Sequence, residues 1–168
     1  PLADLQELEI GRILLIGWLT FRFAGQECYL PYNTRGSRPL EEFLAEVRKN
    51  WLHHNEFVFH ENKQDYGEKL DLKFRNMRLT DIDRQDEVLL QFFEASREVR
   101  TRSFFYHLQN WKAGDLVAVT PRCFVWITDR FRRRREFYGG VAHYAPLSAI
   151  RNVNCLAAGS AAVLELSF

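Results

Sequence analysis

The sequence predicts an α+β fold: a strongly bent antiparallel sheet, or partly open barrel, carrying one amphipathic helix. Three observations lead there. Between Glu87 and Phe168 seven short segments alternate apolar and polar residues with a period of two, joined by turn residues. Aromatic residues reach 14%, with 14 Phe, which suits a pleated surface where flat rings pack. Residues 40–52 form the clearest helix, with apolar side chains recurring on one face.

Taken in order, Arg12 to Phe23 reads as one long strand. Ile13, Leu15, Gly17, Leu19, Phe21 and Phe23 fall on one side, and Leu14, Ile16, Trp18, Thr20 and Arg22 on the other. Ala24-Gly25-Gln26 has the length and glycine of a hairpin turn, so Glu27–Pro31 returns as a second strand. The helix aligns Leu40, Phe43, Leu44, Val47, Trp51 and Leu52. Ser37 is placed as its N-cap, and Pro39 is tolerated in the first turn. Glu41 and Glu42 lie near the positive end of its dipole, Arg48 and Lys49 near the negative end.

His53 to Gly67 is a polar connection with a short apolar patch at Phe57-Val58-Phe59. Leu70, Leu72 and Phe74 alternate with Asp71, Lys73 and Arg75 as a half-buried strand, and residues 80–83 supply turn chemistry or a brief helical cap. Val88–Phe93 is a dense apolar strand and Arg97–Tyr106 a charged edge strand. Leu116–Thr120 and Cys123–Thr128 flank the two-residue turn Pro121-Arg122. Glu136–Tyr144 follows an arginine loop, and Pro146-Leu147-Ser148 bends into Ile150–Cys155. Small residues 157–160 then lead to the last strand, Ala162–Phe168. The expected core comprises Leu90, Val117, Val119, Val125, Ile127, Ile150 and Leu164. The chain thus divides into a hairpin with helix (1–54), a connection with short strands (55–84) and a β-rich unit (85–168).

Composition excludes several function classes. At 168 residues, 46% hydrophobic and 27% charged, the chain has globular usage rather than that of disorder. A net charge of +1 argues against a surface tuned throughout to nucleic acid, so no nucleic-acid partner is expected. Cys28, Cys123 and Cys155 are far apart and lack metal-ligand spacing, which reads as buried thiols in a reducing, cytoplasmic compartment. The longest apolar run, Ile13 to Phe21, is far below the roughly 20 residues needed to span a bilayer. The start at Pro1 suggests a fragment trimmed from a longer protein.

One family resemblance emerges from these strands. The order VTPRCFVWIT, loop, YGG…YAPLSAI and closing hairpin resembles bacterial pleckstrin-homology-like domains, over residues 85–168. The resemblance implies a partly open barrel and a non-catalytic binding or scaffold module that mediates protein–protein contact. Such domains finish with a helix across the barrel mouth, whereas this sequence stops at Phe168 without one. Residues 1–54 are then either the end of a preceding domain of the same kind or an element packed on the second barrel.

Candidate chemistry is sparse. Arg130, Arg132, Arg133, Arg134 and Arg135 concentrate guanidinium forks that suit phosphate groups. They define the alternative function, a peripheral module on anionic lipid headgroups at the inner face of the membrane. The plainer reading is a solvated loop flanked by Asp129 and Glu136. His53, His54, His60 and Glu61 cluster in sequence, but their spacing is not that of a metal site, and no metal or other cofactor is expected. His107 and His143 lie in strands without an evident partner, and Cys123 lacks a catalytic context. Asp81 with Asp83, and Asp86 with Glu87, read as turn residues. Gly139-Gly140 lacks the frame of a phosphate loop. The aromatic and basic mixture at residues 102–112 is the pattern that stacks on single strands, but in strands such rings are usually core. No catalytic residues are expected; an enzyme of unrecognised class is the last alternative.

Overall fold

The computed structural model describes residues 2–52, 70–82, 87–95, 97–102, 107–112, 114–129, 139–158 and 161–167. In chain order these form β1 (Leu5–Ile13), β2 (Ile16–Phe23), β3 (Gln26–Asn33), α1 (Arg38–Trp51) and α2 (Leu72–Asp81). There follow β4 (Leu90–Glu94), β5 (Arg97–Arg102), β6 (His107–Lys112), β7 (Asp115–Val119), β8 (Cys123–Thr128), β9 (Gly139–Pro146), β10 (Asn152–Ala158) and β11 (Ala161–Ser167). Seven strands make one antiparallel sheet in the order β3-β2-β1-β9-β8-β7-β4, open at β3 and β4. The hairpins β5–β6 and β10–β11 form two separate two-stranded sheets. Because β1 pairs with β9, the N-terminal hairpin and the C-terminal strands share one ladder. The boundaries expected near 54 and 85 fall outside the described residues.

Period two gives the sheet one covered face. Cross-strand partners Leu19, Ile10, Ala142, Ile127 and Leu116 form a row through five strands, each buried. A parallel row runs from Phe21 through Leu8, Tyr144 and Val125 to Ala118. Both helices contribute to this core, α1 through Leu44 and Trp51, α2 through Phe74. Trp51 is anchored in place: its indole N–H donates to the Leu5 carbonyl at 2.8 Å, so the ring is buried without an orphaned donor.

Several expectations change. Arg12–Phe23 is not one strand: the chain reverses at Leu14-Leu15, and Ile13 pairs with Ile16. No glycine or asparagine marks this turn, so an unbroken apolar run hid it. Residues 72–81 form a helix rather than a strand, so the described residues hold two helices where one was expected. The alternation Leu70, Leu72, Phe74 was too short to separate the two periods, and the Asp71 carboxylate caps the helix by accepting from the Phe74 amide at 2.9 Å. Ser37 does occupy the N-cap of α1, but its hydroxyl reaches Glu41 Oε1 at 2.9 Å rather than a backbone amide. The described part of the expected strand Arg97–Tyr106 is β5, and His107–Lys112 pairs back on it as β6. The faces of β7 are reversed: Leu116 and Ala118 are buried, while Val117 and Val119 are half-buried. Leu90 is 56% exposed and Phe43 58% exposed, so neither is core; Ile150 is half-buried. Val125 and Ile127 are core as expected. The Leu164 side chain and residues 57–59 lie outside the described parts.

Candidate functional site

Three groups of side chains are chemically distinctive. The first lies on the sheet face away from the helices, where β1, β2 and β9 bring Glu7, Glu9, Arg22 and His143 together. Glu9 sits opposite both Thr20 and His143 in the ladder, and Glu7 opposite Arg22. The Arg22 guanidinium donates to Glu7 at 2.6 Å, to Glu9 at 2.7 Å and to Glu27 at 3.1 Å. His143 Nδ1 lies 2.7 Å from Glu7 Oε1, and its ring stacks on Trp126 with centroids 4.8 Å apart. Trp18 donates from its indole to Glu9 at 2.7 Å, while its ring lies across Gly11, where a Cβ would meet it at 2.0 Å. Burial raises the Glu7 carboxyl, but the bonds from His143 and Arg22 outweigh it and hold the group below its ordinary 4.5.

Ligating atoms of Glu7, Glu9 and His143 all lie within 4.8 Å of one another, a spacing a cation could bridge. Here Arg22 already fills that role, binding the same Glu7 and Glu9 oxygens. Arg22 offsets part of the carboxylate charge, and the group clips β1, β2 and β9 together.

The second group is buried between sheet and helices. Arg12 of β1 reaches Asp81 at the end of α2 at 2.5 Å. Tyr144 of β9 donates its hydroxyl to the Asp81 carbonyl at 2.7 Å and accepts from Arg48 of α1 at 3.0 Å. Burial drives the Asp81 carboxyl upward against Arg12 and Arg48, while Asp81 keeps Arg12 charged. Burial likewise pushes the Tyr144 phenol well up, so it stays neutral and serves as a donor. Asp129 is a related buried carboxylate, held by Lys73 Nζ at 3.0 Å and the Gly114 amide at 2.6 Å. These contacts lock the helices to the sheet, and Arg12, Lys73 and Asp81 also line a small open cleft of about 280 Å³ beside Met77 and Gly140.

The third group is the β1–β2 turn. Leu14, Leu15 and Ile16 are 73%, 54% and 65% exposed, three consecutive bulky apolar side chains in solvent. Leu14 has φ 48°, the left-handed region that costs a branched residue free energy and that hairpins normally give to Asn or Gly. The turn is braced from β3's end: Thr34 donates its hydroxyl to the Leu14 carbonyl at 2.6 Å and its amide to the Leu15 carbonyl at 3.0 Å. A cleft of about 770 Å³ opens elsewhere, between Leu5, Phe23, Trp51 and Pro146, with Asp4 as the one ionisable side chain among its lining residues.

The residues singled out in the sequence fare unevenly. Arg130, Arg132, Arg133, Arg134 and Arg135, and His53, His54, His60 and Glu61, lie outside the described residues, as do Asp83 and Asp86. His143 has a partner after all, Glu7, brought from 136 positions away in sequence. Asp81 is no surface turn residue but the buried partner of Arg12. In the sequence the cluster around Arg22 shows only as the alternation Glu7-x-Glu9, a pattern common to solvent-facing strands. Compared with protein-family models, with curated proteins and with solved structures, the chain matches none. Among the described residues no helix is long and apolar enough to cross a membrane.

Proposed function

We propose that this chain is a non-catalytic binding module of the pleckstrin-homology-like kind, acting by surface contact rather than by chemistry. One observation carries the reading: Leu14, Leu15 and Ile16 stand exposed on a turn whose backbone is strained at Leu14. Strain and solvent-exposed apolar bulk are both unfavourable, and such costs persist where a contact uses them. The ionisable groups point the same way, since Glu7, Glu9, His143, Asp81 and Asp129 are each engaged by a partner within the fold. The tight antiparallel sequence β7, β8, β9 and the short 3₁₀ bend Leu147–Ala149 are compatible with the family resemblance of residues 85–168.

The test replaces the turn without harming the hairpin. Leu14→Gly with Leu15→Ser places glycine at the position whose φ is positive and removes both leucines, so the variant should fold at least as stably. Wild type should either self-associate in sedimentation velocity or float with lipid vesicles, and the variant should do neither. A wild type that does neither at any salt concentration would sink the reading.

A further inference from the structure

We propose that β3 is a self-pairing edge: two copies of the chain join antiparallel through residues 26–30, about a two-fold axis at Cys28. This contact does not involve the Leu14-Leu15 turn, and either contact can fail without the other. β3 ends the sheet order, and every residue of it except Tyr32 is exposed. Tyr29 and Leu30 hold bulky side chains in solvent at 58% and 49% exposure. An eight-residue edge this open is one that native proteins usually cover, shorten or pair.

The phase of the β2–β3 ladder decides which main-chain groups a second strand can use. The Thr34 amide donates to the Leu15 carbonyl, and bonding residues alternate along an antiparallel strand. Gln26, Cys28, Leu30 and Tyr32 therefore bond inward to β2, while Glu27, Tyr29, Pro31 and Asn33 turn their main chain outward. Pro31 fits there because the N–H it lacks would face away from β2. It also fixes the register. Centred on Cys28, Glu27 stands opposite Tyr29 of the second copy and Tyr29 opposite its Glu27, each pair exchanging both N–H···O bonds. Pro31 then falls beyond the pairing, opposite the Gly25 turn. An axis at Tyr29 would set the proline against a Glu27 carbonyl, and an axis at Glu27 would set Tyr29 against the turn.

The side chains fit the same axis. Leu30 lies across from buried Leu19, which places Gln26, Cys28 and Leu30 on the helix face and Glu27 and Tyr29 on the open face. No like charges stand directly opposed, and Glu27 keeps its bond from Arg22. Gln26 meets Leu30 of the second copy. The two Cys28 residues face one another as a non-hydrogen-bonded pair with Cα atoms about 4.5 Å apart, within the range a disulfide spans. Cys28 is an exposed thiol, against the expectation from sequence that it is buried. Five residues a side bury far less than the roughly 800 Å² per partner of a stable interface. In reductant at micromolar concentration the edges therefore meet only in passing, and a cross-link is needed to hold them.

Disulfide trapping with oxidised glutathione, in a Cys155→Ser background, reads the register. One Cys28 thiolate attacks the glutathione disulfide and releases one reduced glutathione. Cys28 of a second copy then attacks the bound Cys28 sulfur and releases the other, so two thiols and one disulfide give one protein disulfide and two reduced glutathiones. The dimer should form at least tenfold faster than with Cys28→Ser/Gln26→Cys, whose sulfurs stand four residues, roughly 13 Å, out of line. Mixing Cys28→Ser/Gln26→Cys with Cys28→Ser/Leu30→Cys should restore the fast rate, because those two positions oppose each other. Tyr29→Pro should slow trapping at least tenfold while circular dichroism and the thermal midpoint hold, since β2 does not use its N–H. In the trapped dimer the Glu27 and Tyr29 amides should gain hydrogen-exchange protection that the monomer lacks, with Cys28 and Leu30 protected in both. Equal trapping rates at positions 26 and 28, or trapping that Tyr29→Pro leaves unchanged, overturn the proposal, for the thiols would then meet by random collision. If Tyr29→Pro unfolds the hairpin, the trapping rates at 26, 28 and 30 decide on their own.

Discussion

The two faces of the central sheet carry the same chemistry in different surroundings. On the covered face Arg12 meets Asp81, whose side chain is only 4% exposed. On the open face Arg22 meets Glu7, Glu9 and Glu27, whose side chains are 21%, 14% and 57% exposed. The buried pair joins elements distant in sequence, binding α2 to β1. The open network stays within the sheet, bonding β2 across β1 and β3, with His143 of β9 joining through Glu7. The comparison teaches that an ion pair's consequence follows from what its loss would leave behind. Removing Asp81 strands a cation against the core, whereas removing Glu7 leaves Arg22 with other carboxylates and water.

The largest expected effect is therefore Asp81→Ala, a loss of about 3–5 kcal/mol in urea unfolding. Replacing both partners, Arg12→Met with Asp81→Leu, should recover most of it, because no buried charge then remains. A single loss under about 1 kcal/mol would show that the two faces do not differ in this way.

Tyr144→Phe comes next. It removes the hydroxyl that links Arg48 to the Asp81 carbonyl, and it should cost about 1–3 kcal/mol. Hydrogen exchange would sharpen the comparison: amides of α1 and α2 should lose protection while those of β2 and β3 keep it.

On the open face Glu7→Gln should cost only about 1 kcal/mol at neutral pH. Its signature is pH dependence. The Glu7 carboxyl is held below its ordinary 4.5, so its contribution is complete above that value and disappears as the pH falls through the depressed one. Denaturation midpoints of wild type and Glu7→Gln should converge as the pH falls below about 4.5. Parallel curves from pH 7 to pH 3 would show that the His143 and Arg22 bonds do not favour the ionised form.

Smallest of all is Arg38→Ala, which removes an exposed i,i+4 pair with Glu42 at 3.0 Å. A change below about 0.5 kcal/mol, vanishing in high salt, sets the floor for a largely exposed ion pair.

The sequence by itself determined the β-rich character, the amphipathic face of α1, the hairpin at Ala24-Gly25 and the Pro121-Arg122 turn. Each is written in local spacing or in residues with a fixed backbone preference. Gly25 has φ 75°, a conformation glycine adopts freely, and Thr120 closes its turn by accepting from the Arg122 and Cys123 amides. Tertiary structure decided what local preference leaves open. The Leu14-Leu15 turn contradicts its own residues' preferences, so only the pairing of β1 with β2 and β9 explains it. The inward face of β7 was equally undecided: Leu116 and Val117 are both apolar, and β8's register put Leu116 opposite buried Ile127. The ionic groups were hidden for a plainer reason. Arg12 and Asp81 lie 69 positions apart, Glu7 and His143 136 apart, and no local pattern ties such partners together until strand pairing closes the sheet.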